Sequence, residues 1–252
     1  MKKVGAFLFC LVTIISCVPV GANLPPNSMF NRTTRTGQNL FQAIISQGIP
    51  QDPVNLLFRM FDYNQGRIPN TTTAVIVDYS QVSTVKRLYF LHFDTGIVER
   101  FYVSHGIRSG VLQTRSFSNQ VDSWKSSLGF YYAKGTYVSP KNGQSLYLEG
   151  IDRSNNNARA RLIVMHGAKY VSDDFIQKNG RLGWSQGCFA VEVEVLPMLI
   201  AALEGGSIVL SYHKDLMTYS RQYPSDQELM GKEVVPPNVN REITPGEGGD
   251  NN

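Results

Sequence analysis

The sequence has little cysteine and little charge. Its 252 residues include three cysteines, two of them within the first 22 residues, and only 17% of the residues are charged. A disulfide-stabilised scaffold needs several paired cysteines, so that class is excluded. No dense lysine and arginine cluster occurs, and no histidines or cysteines stand at the spacing of a zinc site. The sequence therefore predicts no nucleic-acid partner and neither a metal nor an organic cofactor.

The N-terminus lacks an apolar run long enough to span a membrane, but it has the pattern of a secretory leader. "MKK" is positively charged, "VGAFLFCLVTII" is apolar, and "VPVGA" brings a helix breaker and small residues. We predict a signal peptide over residues 1–22 and export to the periplasm or cell envelope. An alternative is open, because "IISC" resembles a lipoprotein lipobox. Membrane attachment would then occur only through a lipidated Cys17.

Composition changes divide the remaining chain into three parts. Residues 23–69 contain two predicted helices that pack on the core, the second with Asp52 as N-cap and Gly66 as its stop. Residues 70–215 form the main domain. Residues 216–252 are rich in proline, glycine and asparagine, which is typical of a disordered polar tail.

The main domain alternates short β-branched and aromatic runs with turn residues. Such a pattern predicts strands, and a few helical segments interrupt them, one of which has Ser172 as its cap and Gly180 as its stop. The fold class is therefore mainly β with peripheral helices, as a sandwich or partly open barrel. The strand segments include "TAVIVDYS", "KRLYFLHFD", "VERFYVSHG", "SSLGFYYAKGTYV", "GQSLYLEGI", "RARLIVMHGA" and "SIVLSYHK".

Cys188 is a candidate nucleophile. After processing it has no intramolecular disulfide partner, and an unpaired exported cysteine is a candidate reactive thiol. A buried, inert cysteine is the alternative. His166 ends an apolar strand 22 residues earlier, and a strand, helix and turn of that length can bring the chain back beside it. The imidazole would then take the thiol proton, and backbone N–H groups around Gly187 would stabilise an oxyanion.

The order of these residues separates several cysteine enzymes. Papain-like enzymes place cysteine before histidine, and sortases use an arginine shortly after the cysteine, whereas here the next arginine is Arg221. The "HGA" and "S-x-G-C" motifs, with "VSHGIRSG", "SLYLEGID" and "ARARLIVMHGAKYVS", resemble the YkuD-type murein L,D-transpeptidases. The resemblance extends over roughly residues 50–213. It implies a YkuD-like β-sandwich or partly open barrel as the catalytic domain.

The resemblance also implies site residues. Cys188 matches the nucleophile and His166 the general base, with the Gly167 carbonyl fixing the imidazole tautomer. For His105 a structural role is the favoured interpretation. The resemblance further implies oxyanion or substrate-binding roles for a second group of residues: Ser185, Gln186, Gly187, Tyr170, His105 and Ser109. Two positions depart from the family pattern, since Trp184 replaces a typical arginine and Phe189 a typical proline.

By the same resemblance, the function is peptidoglycan cross-linking or attachment. Cys188 would form a thioester with a tetrapeptide stem, and an amine from a neighbouring stem or from an envelope lipoprotein would resolve it. Hydrolysis by water, giving an L,D-carboxypeptidase or endopeptidase, is one alternative. A catalytically inert murein-binding envelope protein is the other, supported by the departures at Trp184 and Phe189.

Overall fold

The computed structural model describes residues 24–216, so the predicted leader and nearly all of the predicted tail lie outside the described residues. This range contains four α-helices and eight strands. The helices are α1 (Leu40–Ile45), α2 (Gln51–Tyr63), α3 (Asp173–Asn179) and α4 (Leu196–Leu203). The strands are β1 (Thr73–Asp78), β2 (Leu88–His92), β3 (Val98–Phe101), β4 (Gly129–Ser139), β5 (Gly143–Gly150), β6 (Val164–Gly167), β7 (Phe189–Val191) and β8 (Gly205–Tyr212).

All eight strands belong to one mixed sheet in the order β3-β2-β1-β8-β4-β5-β6-β7. The pairs β1–β8 and β6–β7 are parallel, and the other neighbours are antiparallel. The two edge strands approach each other, because Val103, just after β3, bridges to Val191 of β7. The Ser104 N–H also donates to the Ala190 carbonyl at 2.9 Å. The sheet is thus nearly closed into a barrel, and the mainly β prediction is confirmed.

Both faces of the central strands are buried. In β1, Val75 and Val77 join an inner cluster with α4, whereas Ala74 and Ile76 join an outer cluster with α1 and α2. Alternation along the strand produces this division, because successive side chains point to opposite faces. The N-terminal helices therefore share a core with the sheet. No helix within residues 24–216 is long and apolar enough to cross a membrane.

Local signals place most elements, with two exceptions. Ser172 caps α3 through a bond from the Phe175 N–H, and Gly180 ends that helix in a left-handed conformation, as predicted. The prediction that Asp52 caps α2 is wrong: the helix begins at Gln51, and Asp52 lies in its first turn, where an acid favours the helix dipole. The sequence also gave no prediction of β7.

Candidate active site

Strand pairing brings His166 and Cys188 onto one face of the sheet. His166 lies beside Ala190 in the parallel β6–β7 pair, and Cys188, one residue before β7, lies level with Val164. Residues two apart on a strand share a face, so the imidazole and the thiol project to the same side. Both side chains line one cleft of about 630 Å³. The structure therefore brings together the two residues on which the predicted chemistry depends.

A backbone carbonyl orients the imidazole. His166 Nδ1 lies 3.1 Å from the Gly167 carbonyl oxygen. A carbonyl oxygen only accepts hydrogen bonds, so we assign the ring proton to Nδ1. The lone pair of Nε2 is then available to accept a proton. Gly167 thus makes the contact that was expected of it.

Burial keeps both groups of the pair neutral at rest. It raises the pKa of the Cys188 thiol, against the opposing effects of the Val164 N–H, Arg161 and Lys141. Burial also lowers the pKa of His166, against the bond to the Gly167 carbonyl. In both cases the low-polarity surroundings disfavour the charged form. At pH 7 the thiol and the imidazole that line this cleft are therefore both neutral.

Ser185 organises the turn that precedes the cysteine. Its hydroxyl donates to the Cys188 carbonyl at 2.7 Å and accepts from the Gly187 N–H at 3.1 Å. The Gly187 N–H is therefore engaged inside the turn, so an oxyanion would have to be bound by other backbone N–H groups around Gly187. Gln186 is exposed at the cleft wall, where its amide is free to donate.

Position 187 requires glycine for two reasons. Its φ is +114°, a conformation that side chains of L-residues rarely adopt. A Cβ atom there would also lie 2.8 Å from the Lys125 carbonyl oxygen and 3.1 Å from an Arg161 nitrogen. The thiol is thus presented by a turn that packs directly on the neighbouring loop.

The sequence comparison decides the family. A model of the L,D-transpeptidase catalytic domain family matches residues 46–212, which is well over half of the chain. The chain belongs to this family. No curated protein matches it.

Solved structures similar to this L,D-transpeptidase domain are distant in sequence. An L,D-transpeptidase from Mycobacterium smegmatis has 9% identity and a TM-score of 0.35, over 56% of this chain and 58% of that one. The Yku L,D-transpeptidase from Stackebrandtia nassauensis has 15% identity and a TM-score of 0.34, over 68% and 74%. The helical cell shape determining protein Pgp2 from Campylobacter jejuni has 13% identity and a TM-score of 0.36, over 69% and 66%. The family assignment rests on the sequence match.

His105 and Ser109 are not among the residues that line the cleft of this L,D-transpeptidase domain, although the His105 carbonyl accepts the N–H of the cleft residue Ser185 at 3.1 Å. His105 is buried, with Nδ1 accepting from Arg87 at 2.8 Å and Nε2 facing the Gly110 carbonyl at 3.1 Å. Ser109 accepts the Ser126 N–H at 2.8 Å. These contacts agree with the structural role favoured for His105. Ser109 also has a structural contact, where a substrate contact was expected.

The two departures from the family pattern have different consequences. Phe189 points into the inner core and packs edge-on against Tyr131, with ring centroids 5.2 Å apart. It therefore does not contact the cleft. Trp184 does line the cleft, and the Arg181 guanidinium stacks on its ring at 3.3 Å. An arginine side chain is therefore still present at this part of the cleft, although position 184 carries tryptophan where the family pattern has arginine.

Tyr170 lies at the cleft, as the resemblance implied, and its ring packs on the backbone of Gly183. A Cβ atom at position 183 would lie 2.5 Å from the Tyr170 Cβ, so the close approach requires glycine. Burial raises the pKa of the Tyr170 hydroxyl, so the phenol stays protonated. It can donate a hydrogen bond into the cleft.

Arg161 is a cleft residue that the sequence analysis missed. Its guanidinium donates to two backbone carbonyls and two hydroxyls of the loop before β4. The carbonyls are those of Ser118 and Lys125, and the hydroxyls are those of Ser123 and Ser127. Nothing in "ARARL" distinguishes this arginine from Arg159, because its partners lie about 40 residues away in the sequence. Only the folded chain identifies it.

Backbone strain is concentrated at the same cleft. Within residues 24–216, the non-glycine residues with positive φ are Asp122, Trp124 and Leu162, at +58°, +54° and +52°. All three line the cleft, and the Leu162 carbonyl accepts the Cys188 thiol hydrogen at 3.4 Å. Such conformations cost about 1–3 kcal/mol each and concentrate at functional sites. The strain therefore marks the cleft independently of any motif.

Proposed function

We propose that this protein is an exported peptidoglycan L,D-transpeptidase that forms a thioester on Cys188. One observation carries the proposal: within a domain of this family, the thiol and an imidazole with a free Nε2 project into the same cleft. His166 is the one imidazole among the residues that line the cleft. It is therefore the base available to a neutral thiol.

The acylation step uses the tautomer described above. As Sγ attacks the amide carbonyl carbon of a tetrapeptide stem, its proton passes to His166 Nε2, and the carbonyl π electrons move to oxygen. The resulting imidazolium is stabilised by the Gly167 carbonyl at Nδ1. When the tetrahedral intermediate collapses, the C–N bond breaks and Nε2 returns the proton to the leaving amine. A thioester and a free D-amino acid are the products.

Resolution repeats these steps in reverse with a new amine. The acceptor amine, from a neighbouring stem or an envelope lipoprotein, attacks the thioester carbonyl while Nε2 accepts its proton. Collapse restores the thiol and leaves a new amide bond. Water in place of the amine would give hydrolysis through the same intermediate, and muropeptide products formed with and without an amine acceptor distinguish the two outcomes.

A carbapenem tests the nucleophile. Its strained amide opens on attack by a thiol without loss of atoms, so the protein should gain the full mass of the drug. We expect one adduct on the wild type and none on Cys188→Ala, measured as intact mass. Ser207→Ala, in a buried strand away from the cleft, is the control and should be labelled like the wild type. An unlabelled wild type, or equal labelling of Cys188→Ala, would overturn the assignment of Cys188 as the nucleophile, and the unlabelled wild type would favour the inert murein-binding alternative.

Export is supported by the leader pattern of residues 1–22. Cleavage after Ala22 would leave a mature chain that begins at Asn23, whereas lipidation would leave an acylated Cys17. The intact mass of protein purified from the native envelope distinguishes the two. An uncleaved N-terminus would contradict export by either route.

A further inference from the structure

A second hollow adjoins the catalytic cleft on the side of His166. It has a volume of about 470 Å³ and shares Lys141, Asn142 and Tyr170 with the cleft. Gly167, the residue after the base, also contributes to its wall. A ligand that occupies the catalytic cleft can therefore extend past the imidazole into this second space.

The hollow is positively charged. Lys141 and Lys169 both line it, and no aspartate or glutamate does. Across residues 24–216 no carboxylate forms an ion pair with either lysine. Glu192, which precedes the lining residue Val193 in the chain, accepts the backbone N–H of Tyr102 at 2.9 Å.

The position of Lys141 is fixed by a tight turn between β4 and β5. The Ser139 hydroxyl accepts the backbone N–H groups of Lys141 and Asn142 at 3.3 and 3.2 Å. The charge of Lys141 reaches both members of the catalytic pair, since it lowers the pKa of His166 and of Cys188. An anionic group bound by this lysine would thus lie next to the reacting bond.

The direction of the reaction assigns the hollow to the leaving group. The amine that departs from the tetrahedral intermediate must receive its proton from His166, so it lies against the imidazole. The rest of the leaving residue then continues beyond the imidazole, on the side of Lys141. In a tetrapeptide stem that residue is the last one, and it carries the free α-carboxylate of the chain.

We propose that the hollow is a carboxylate-binding subsite in which Lys141 and Lys169 bind the C-terminal α-carboxylate of the peptide stem. This inference rests on the proposed function, because it assigns the substrate end to the same reaction. Amide side chains of Asn142 and Gln144 border the subsite, and Val193 and Leu196 supply an apolar floor for a small side chain. The subsite would restrict attack to the terminal peptide bond.

Two substrates that differ in one group test the subsite. A tetrapeptide stem with a free C-terminal carboxylate is compared with the same stem ending in a carboxamide. For the wild type we expect kcat/KM to be about tenfold to a hundredfold higher with the carboxylate, as charge-assisted hydrogen bonds are lost with the amide. The ratio should fall towards one in the double variant Lys141→Gln/Lys169→Gln, while Lys141→Arg should retain most of it.

An effect of Lys141 on the thiol or the imidazole applies equally to both substrates, so it cancels in the ratio of their kcat/KM values. Lys178→Gln is the matched control, since Lys178 lies in the last turn of α3 and lines neither space. A wild type that processes both substrates equally, or a double variant that keeps the full ratio, would overturn the subsite and leave the transpeptidase function intact. Loss of the function itself would instead appear as no Cys188-dependent turnover of either substrate.

Discussion

Burial shifts the pKa values of the imidazole and the thiol of the candidate site in opposite directions. Burial lowers the pKa of His166, so the imidazole stays neutral at pH values where an exposed histidine is charged. It raises the pKa of Cys188, so the thiol stays protonated at pH values where an exposed cysteine begins to ionise. A preformed thiolate and imidazolium pair is therefore disfavoured at rest. In the proposed mechanism, the nucleophile is therefore generated during attack, when the proton moves to Nε2.

This arrangement predicts the pH dependence of the site. The base form of His166 persists below pH ~6.5, so the acid limb of kcat/KM should lie below that value. The alkylation rate of Cys188 by iodoacetamide should rise only above pH ~8.5. Stopped-flow alkylation and steady-state kinetics from pH 4 to 10 measure both limbs. Maximal alkylation already at pH 6 would indicate a resting thiolate and contradict this account.

His105 should make the fold sensitive to acid. Desolvation and the adjacent Arg87 lower its pKa to about 4, against ~6.5 in the unfolded chain. Between these values the unfolded state binds the proton and the folded state does not, so stability falls as the pH falls from 6.5 to 4. The loss attributable to this residue is up to about 3 kcal/mol.

Urea unfolding at several pH values tests this expectation. His105→Gln should be less stable at pH 7, because a flexible amide replaces the buried ring that contacts both Arg87 and the Gly110 carbonyl, but its unfolding free energy should vary less between pH 4.5 and 6.5. His92→Gln is the control, since His92 pairs with Glu99 at the surface. An unchanged pH slope in His105→Gln would show that other groups cause the acid sensitivity.

At the scale of elements, the site depends on the turn that leads into β7. This strand has only three residues, yet its pairing with β6 determines where Cys188 lies along the sheet relative to His166. Ser185 and Gly187 shape the turn through hydrogen bonds and a positive φ. The position of the sulfur is therefore controlled by backbone geometry more than by side-chain packing.

Gly187→Ala should disrupt this turn. The new Cβ atom would meet the Lys125 carbonyl at an unfavourable φ, so we expect a loss of about 1–3 kcal/mol and slower carbapenem acylation. Gly180→Ala is the matched control, because its φ is +69° and no atom lies within 4 Å of the new Cβ. That control should cost about 1 kcal/mol and leave acylation unchanged. Equal effects of the two variants would mean that only the backbone conformation matters.

At the scale of the whole molecule, the sheet is stabilised from both sides. The inner cluster lies between the sheet and α4, and the outer cluster joins the sheet to α1 and α2. Residues before β1 therefore contribute to the stability of the candidate site on the far strands. We expect the described chain to unfold as one cooperative unit.

Phe58→Ala tests this cooperativity. The ring is fully buried and packs edge-on against Phe41 and Phe93, so its loss should cost about 3–5 kcal/mol. Ile97→Ala, at an exposed position, should change stability by less than about 0.5 kcal/mol. Urea unfolding followed by circular dichroism and by Cys188 labelling should give coincident transitions. Separate transitions would mean that the N-terminal helices unfold independently of the site.

The sequence by itself determined much of the local structure and led to the proposed reacting residues. Alternating runs predicted the strands, Ser172 and Gly180 bounded α3, and the scarcity of cysteine singled out Cys188. These signals are readable because hydrogen bonding, capping and alternation involve residues close together in the chain. His166 could be proposed for the same reason, since it ends a strand at a short distance before the cysteine.

Only the tertiary structure decided what depends on distant partners. The order of the sheet, the bridge between Val103 and Val191, and the inward direction of Phe189 all arise from contacts between remote segments. Arg161 gained its role from a loop about 40 residues away, and Lys141 from a turn that the sheet brings beside His166. Such roles depend on packing geometry, which a single sequence does not encode locally.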